Sequence, residues 1–372
     1  MASADYLTLE QLQRALTLRD LTDPLQGPHA IQALLVAVVN ALAKQWGSSV
    51  RHIRATPIVA VRENYDRLGY DGRDITRDRR YTRYISPTVM LRSHTSAEIP
   101  TALEHYANRS NIDELIVVPG LVYRRDVVDR HHVGEPHQVD LWRIRDTAET
   151  GDHDLRDMIG RVAEAVLPGT NWRISDVVHP YTVGGHQVDV QLGGDWLELA
   201  ECGLIHPDVL RGSGLDPHRW SGLALGMGLD RALMLRKGVD DIRYLRATDT
   251  RMATQMLTLE RWKPVSALPA ARRDISVVVG DDEDEETLGD RVRTGLAGDA
   301  DMVESLDILS RTAHSQLPQA ARQRLATIPG QSNLLIRIVL RPIESTLTSH
   351  QANDLRNRIY SAIHQGQVME LI

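Results

Sequence analysis

The sequence predicts an α+β protein of two parts, an antiparallel sheet flanked by helices and then a small βαββαβ domain. Three observations carry this. Up to about residue 260, strand-like and helix-like segments succeed one another without the regular βαβ alternation of a parallel sheet. At Arg261–Pro264 the pattern breaks and a fresh series of elements begins. A chain of 372 residues is also long enough for two separately packed cores.

In chain order, residues 28–46 read as an amphipathic helix. Ile31, Leu34, Leu35, Val38, Val39, Leu42 and Trp46 recur at helical spacing and Gly47 stops it. Arg51 to Val61 reads as a strand pair interrupted by Pro57, and the Arg/Asp-dense stretch from Gly69 to Arg83 as a loop. A helix is expected from Ser96 to Asn108. Strands are expected at 114–118, 121–125 and 137–144, with a long charged loop at 126–135. Leu155–Val166 reads as a helix, and Val188–Leu192 and Trp196–Leu199 as strands across the Gly193-Gly194 turn. Gly222–Lys237 starts glycine-rich and continues as an apolar helix.

Beyond the break, a strand at Ile275–Val279, an acidic run Asp281–Glu286 and a helix to about Leu296 are expected. Next come a strand at Val303–Leu309, a loop at Ser315–Arg322, a strand at Leu334–Leu340 and a helix from Ser349 to Gln365. A last short strand is expected at Val368–Ile372. This is the ferredoxin-like order. The acidic run suits a solvated loop and a helix N-terminus.

Composition narrows the function. Hydrophobic content of 42% with 25% charged residues is that of a soluble globular chain, and no apolar run reaches the ~20 residues that cross a bilayer. One cysteine, Cys202, excludes a disulfide framework and a cysteine-rich zinc site. The N-terminal residues lack a basic-then-apolar signal and an Arg-rich one, so the expected location is a bacterial cytoplasm. Net charge is −7, but a large folded RNA needs only a local basic face. Phenylalanine is absent altogether, although Tyr, Trp, Leu and Met are all present.

Three stretches could carry chemistry. In Val122-Tyr123-Arg124-Arg125-Asp126, a strand-borne arginine enters a charged loop that continues through Asp129 and His132 to His137-Gln138-Val139-Asp140. That is either a phosphate clamp or an ordinary hairpin with cross-strand ion pairs. Trp196-Leu197-Glu198 puts a carboxylate on a strand, fit to hold Mg²⁺ against nucleotide phosphates. Gly226-Met227-Gly228 then opens a helix with Arg231 on its first turn. These glycines are not embedded in a βαβ unit, which disfavours a dinucleotide fold. Leu91-Arg92-Ser93-His94-Thr95-Ser96 is either a helix cap or a polar site.

Together and in this order these stretches resemble the phenylalanyl-tRNA synthetase family of class II synthetases, in its single-chain mitochondrial form. Pro57 and Asn64-Tyr65-Asp66 look like motif 1 and the segment just after it. Residues 91–96 match L-R-x-H-T-S, 119–140 match motif 2, and 196–231 match W-L-E-x-x-x-C-G and motif 3, with His206-Pro207 between. Residues 240–256 match a D-I-R…D-x-R…Q stretch. Residues 271–275 and 345–348 match the family's C-terminal domain.

The resemblance implies residues 1–260 as a catalytic domain and 264–372 as a ferredoxin-fold anticodon-binding domain. It implies ATP and Mg²⁺ as cofactors, and an amino acid and tRNA-Phe as partners, with a monomer expected and a motif 1 dimer the alternative. Arg124 is expected on the α-phosphate, Arg231 on the γ-phosphate, and Glu198 on Mg²⁺. Asp126, His132 and Gly228 are expected around ATP. His94, Ser96, Gln138 and Ala224 are expected around the amino acid, with Asp140 where the family has Glu for the ammonium group. The family's F-P-F, whose rings pack against the substrate ring, is here His179-Pro180-Tyr181, and a usual glycine before Cys202 is Glu201. These polar replacements leave three readings: phenylalanine or a close aromatic analogue as substrate, an altered-specificity paralogue, or a tRNA-binding regulator without catalysis.

Overall fold

The computed structural model describes residues 6–78, 81–265 and 268–369. They divide into two compact units that are not contiguous in sequence. The first takes the chain to Arg124, residues 135–239 and 255–262. The second takes residues 125–134, 240–254 and the chain from Lys263. A single cut between 260 and 264 does not anticipate the two inserted segments.

The first unit contains β1 (Ser49–His52), β2 (Ile58–Ala60), β3 (Val89–Leu91), β4 (Asp113–Leu121), β5 (His137–Arg145), β6 (Trp172–Asp176), β7 (Thr182–Leu192), β8 (Asp195–Ile205) and β9 (Ser221–Gly228). Seven of these form one sheet in the order β1-β4-β5-β9-β8-β7-β6, antiparallel except for the β1–β4 pair; β2 and β3 pair separately. The expected α+β class holds. Helices Ala30–Trp46, Asp152–Val166 and Leu229–Lys237 pack together against the sheet. Ala30–Trp46 buries Ile31, Leu34, Leu35, Val38 and Leu42, and ends at Gly47, whose φ of 64° places it in the left-handed region.

Two expectations change here. The strand expected at 121–125 stops at Leu121, so Arg124 lies just beyond β4, in an isolated bridge to Thr82. The glycine-rich start of 222–237 is a full strand, β9, before the helix Leu229–Lys237 begins. Strand alternation explains it: Leu223, Leu225 and Met227 are buried on the helix side while Gly222, Ala224, Gly226 and Gly228 line the other face.

Without phenylalanine, the large buried rings of this unit are tyrosine and tryptophan, and the tyrosine hydroxyls all find acceptors. Tyr65 donates to the Thr76 carbonyl at 2.8 Å, Tyr123 to the Ala15 carbonyl at 3.1 Å, and Tyr106 to Glu114. Lys237 is 1% exposed, and its amine donates to the carbonyls of Gln255, Thr258 and Glu260 at 2.7–2.8 Å, using all three protons.

The second unit holds β10 (Ala271–Gly280), β11 (Val303–Ala313) and β12 (Gln331–Leu340) in the antiparallel order β10-β12-β11. Helices Glu285–Leu296 and Ser349–Ile363 cover one face; capping boxes at Asp284 and Thr348 start them. Ile275, Val277, Leu334, Ile336 and Ile338 meet Leu288, Val292, Leu355 and Ile359 in the core. The order β10, helix, β11, β12, helix is that of the expected layout as far as residue 369. Of the expected last strand, Val368 and Met369 are not in a strand and residues 370–372 lie outside the described residues.

Residues 125–134 join this unit closely. Val128 sits in its core and its carbonyl accepts from Leu306 at 3.0 Å. Arg293 donates to the carbonyls of Asp126 and Val127, and Arg130 pairs with Glu304 at 2.7 Å.

Candidate active site

The site of the first unit rests on the glycine face of β9. Laterally paired residues in a sheet point to the same side. Gln138 pairs with Gly228, Asp140 with Gly226 and Trp142 with Ala224, while Gly226 and Ala224 pair on their other side with Glu201 and Gly203. Small residues in the middle strand therefore leave a trough between the side chains of β5 and those of β8.

A β-bulge loads the far wall. Val188 pairs with Ala200 and Asp189 with Glu198, so Leu199 has no partner across β7. Leu199 and Ala200 are both buried. The extra residue brings Glu198 and Glu201 to the same face, which regular alternation would have separated. Partial burial, and then the Glu201 charge, raise the Glu198 carboxyl above its usual range. Arg231, on the first turn of Leu229–Lys237, reaches toward Glu198 at 3.9 Å, with both side chains open to solvent.

Arg124 approaches from the other side. Its Nε donates to the Ser93 carbonyl at 2.7 Å and its Nη2 to Gln138 Oε1 at 3.1 Å. Asn64, fully buried, fixes the turn beneath by donating to Ser93 Oγ at 2.9 Å and accepting from the Ser93 amide at 3.1 Å. Arg124, Arg231 and Glu198 thus border one trough, the arrangement a polyphosphate requires.

The remaining wall is aromatic. The Tyr181 ring lies 6.0 Å from Trp142, 6.2 Å from Tyr70 and 5.4 Å from His179, and Tyr70 stacks on His94 at 5.8 Å. Burial, and next the Arg124 charge, push the His94 imidazole down to about 3, so it is neutral at physiological pH. His179 Nε2 meets Glu201 Oε2 at 2.9 Å, and this bond is the main reason the Glu201 carboxyl sits below its usual range. Asp140 is 1% exposed and accepts from Thr95, Ser96 and Trp142.

Most of the residues expected from the sequence therefore converge: Arg124, Arg231, Glu198 and Gly228 on one side, and His94, Ser96, Gln138, Asp140, His179, Tyr181, Glu201 and Ala224 on the other. Asp126 and His132 belong to the second unit, where His132 Nδ1 lies 2.9 Å from Asp129. Tyr70, Thr95 and Trp142 were not assigned roles from the sequence. Trp142 comes after Asp140 at the strand period of two and could have been found that way; Tyr70 lies in a loop without periodicity.

Comparisons with known proteins give the family. Residues 28–256 match the family described as tRNA synthetases class II core domain (F). The chain is 38% identical over 192 residues to a phenylalanine--tRNA ligase alpha subunit of Prochlorococcus marinus (strain MIT 9313), covering 52% of this chain and 56% of that protein. It thus spans little more than half of this alpha-subunit relative. It is 27% identical to the chloroplastic/mitochondrial phenylalanine--tRNA ligase of Arabidopsis thaliana, over 85% of this chain and 71% of the relative. To a probable mitochondrial phenylalanine--tRNA ligase of Drosophila melanogaster it is 24% identical, over 91% and 84%. A pyrrolysyl-tRNA synthetase structure from Desulfitobacterium hafniense superposes with a TM-score of 0.45 at 20% identity, covering 63% and 77%.

These findings correct one expectation. The relatives aligned over most of the chain carry organellar names, which points away from a bacterial cytoplasm. Among the described residues no helix is long and apolar enough to cross a membrane.

Proposed function

Because the chain belongs to the class II tRNA synthetase core family, we propose that it activates phenylalanine, or a close aromatic analogue, with ATP and transfers it to tRNA-Phe. The observation that carries this reading is the single trough in which Arg124, Arg231 and Glu198 border one end and the aromatic wall of Tyr70, Trp142 and Tyr181 the other.

In the first step an amino-acid carboxylate oxygen bonds to the α-phosphorus of ATP as the bond to the pyrophosphate oxygen breaks. The carboxylate is already ionised at pH 7, so no general base is needed. Arg124 is assigned to the α-phosphate, where a delocalised permanent charge stabilises the charge that builds on the equatorial oxygens. Arg231 is assigned to the γ-phosphate, which draws the leaving pyrophosphate away. In the second step the acyl group passes to the 2′-hydroxyl of the terminal adenosine of tRNA and AMP leaves.

Magnesium fits the oxygen donors present. Glu198 is open to solvent and presents a carboxylate of the kind a hard divalent cation would take. No group of three or more His, Cys, Asp or Glu is gathered for a metal among the described residues, so Glu198 would hold an ion whose other ligands are phosphate and water. When bound, Mg²⁺ supplies charge neutralisation for the phosphates. Asp126 and His132 remain assigned to ATP by family resemblance. The second unit is assigned to the tRNA anticodon by its element order. A monomer is the proposed state.

The test is ATP–pyrophosphate exchange across a panel of amino acids. Exchange with phenylalanine or a ring-substituted relative is the expected result. No exchange with any amino acid would sink the synthetase reading, and strong exchange only with a non-aromatic amino acid would sink the substrate assignment. The His179–Glu201 pair favours an altered-specificity paralogue as the second reading.

A further inference from the structure

Asp140 stands where the family resemblance puts the group for the substrate ammonium, yet its carboxylate is already engaged on every side. Thr95 Oγ1 at 2.5 Å and Gln138 Nε2 at 3.4 Å donate to one oxygen; Ser96 Oγ at 2.7 Å and Trp142 Nε1 at 3.0 Å donate to the other. A carboxylate offers about four acceptor positions. The residue is 1% exposed, so its filled acceptor positions are also closed to a ligand entering the trough.

Glu201 is the opposite case. Only Oε2 is engaged, by His179 at 2.9 Å, and no other hydrogen bond or ion pair of its carboxylate is formed among the described residues. The side chain is 39% exposed toward the trough, where Arg124 and Glu198 are its charged neighbours. His179 itself lies against the Tyr181 ring, so the carboxylate bonded to it sits beside the aromatic wall. Asp140 and Glu201 flank the same residue, Gly226, one on β5 and the other on β8. Two strand spacings separate their backbones, roughly 9.5 Å. Gly226 puts no side chain of its own between them, and the Gln138 amide nitrogen stands 3.3 Å from where its Cβ would lie, on the Asp140 side.

We propose that Glu201, and not Asp140, receives the ammonium group of the amino acid. This rests on the function proposed above. The shortening of Glu to Asp at position 140 withdraws one carboxylate into the sheet, where it organises Thr95, Ser96 and Trp142. The Glu at position 201, in place of a glycine, supplies another across Gly226. An ammonium taken up by the Glu201 oxygen stands on the β8 side of Gly226, with the substrate carboxylate directed toward Arg124. His179 is then a positioning residue: it fixes Glu201 and keeps it ionised.

The test compares an amino acid with its des-amino counterpart, phenylalanine against 3-phenylpropanoate. Calorimetric binding and pyrophosphate exchange are measured on the full chain and on the Glu201→Gln and Asp140→Asn variants. Wild type is expected to prefer phenylalanine. Glu201→Gln is expected to weaken phenylalanine binding by about tenfold or more, the scale of one charge-assisted bond, while leaving 3-phenylpropanoate and the KM for Mg-ATP unchanged. Asp140→Asn is expected to keep the preference in whatever fraction folds, and Glu201→Asp to retain part of it. A Glu201→Gln variant that keeps the full preference overturns the proposal. So does one whose defect is cured by added magnesium, which would make Glu201 a metal ligand. Absent exchange with an intact binding preference overturns the reaction alone and leaves this assignment standing.

Discussion

His137 Nδ1 lies 3.0 Å from the Asp230 carboxylate, while its Nε2 accepts the Leu21 amide at 3.0 Å. The Leu21 donor obliges Nε2 to be unprotonated, so the proton rests on Nδ1 and points at Asp230. The His137 amide donates to the same carboxylate. The start of β5 is thereby tied to the residue preceding Arg231. His137→Ala is expected to cost about 3 kcal/mol, because the buried Leu21 amide loses its acceptor and the Asp230 carboxylate its imidazole donor. Chemical denaturation checks it, and a cost below the range of surface substitutions, about 0.5 kcal/mol, refutes the structural role.

Arg124→Ala is expected to leave the fold intact and to lower exchange by about a thousandfold, the scale of one lost donor to developing charge. Its side chain is exposed, and among the described residues its side-chain hydrogen bonds are those to Ser93 and Gln138. Circular dichroism with exchange kinetics distinguishes this from unfolding. Wild-type exchange in a folded variant removes Arg124 from the mechanism.

His94 makes stability depend on pH. Its folded-state pKa is pushed down to about 3 from an ordinary value of 6.5, so below 6.5 the unfolded chain takes up a proton that the folded one refuses. The contribution is fully present above pH 6.5 and is lost progressively as pH falls toward 3. At pH 5 the loss is about 2 kcal/mol. A His94→Gln variant is expected to show a flatter stability profile between pH 6.5 and 4, read from denaturant midpoints. An unchanged slope would mean that His94 is not held neutral.

Lys237 is buried with its amine on three carbonyls of residues 255–260. Lys237→Met preserves the stem but strands those acceptors, at an expected cost of about 2–3 kcal/mol. Hydrogen exchange is expected to accelerate first in the 255–262 segment, where the chain re-enters the first unit. Uniform acceleration across the unit contradicts a local clamp.

The sheet was legible wherever period and length agreed. The run at 137–144 gives β5 to within one residue, and the run at 114–118 gives the middle of β4. β9 is hidden in the glycine-rich start of 222–237, although Leu223, Leu225 and Met227 carry the period of two. The residues around 125–134 could not have been assigned from pattern, since Val127, Val128 and Val133 follow no period in a charged loop and the partners of Val128 lie about 150 or more positions away. The phosphate side of the site could be read by residue type. Asp140 could not, because its saturation depends on hydroxyls 44 and 45 residues distant in sequence.

The buried tyrosines carry a consequence outside the molecule. Tyr65, Tyr106 and Tyr123 fill core volume and satisfy their hydroxyls, so ring-sized spaces are occupied in a chain that contains no phenylalanine. A ribosome can therefore complete this polypeptide when no phenylalanyl-tRNA is available. If the chain makes that aminoacyl-tRNA, its supply is independent of its own product, and its synthesis continues when that product is depleted.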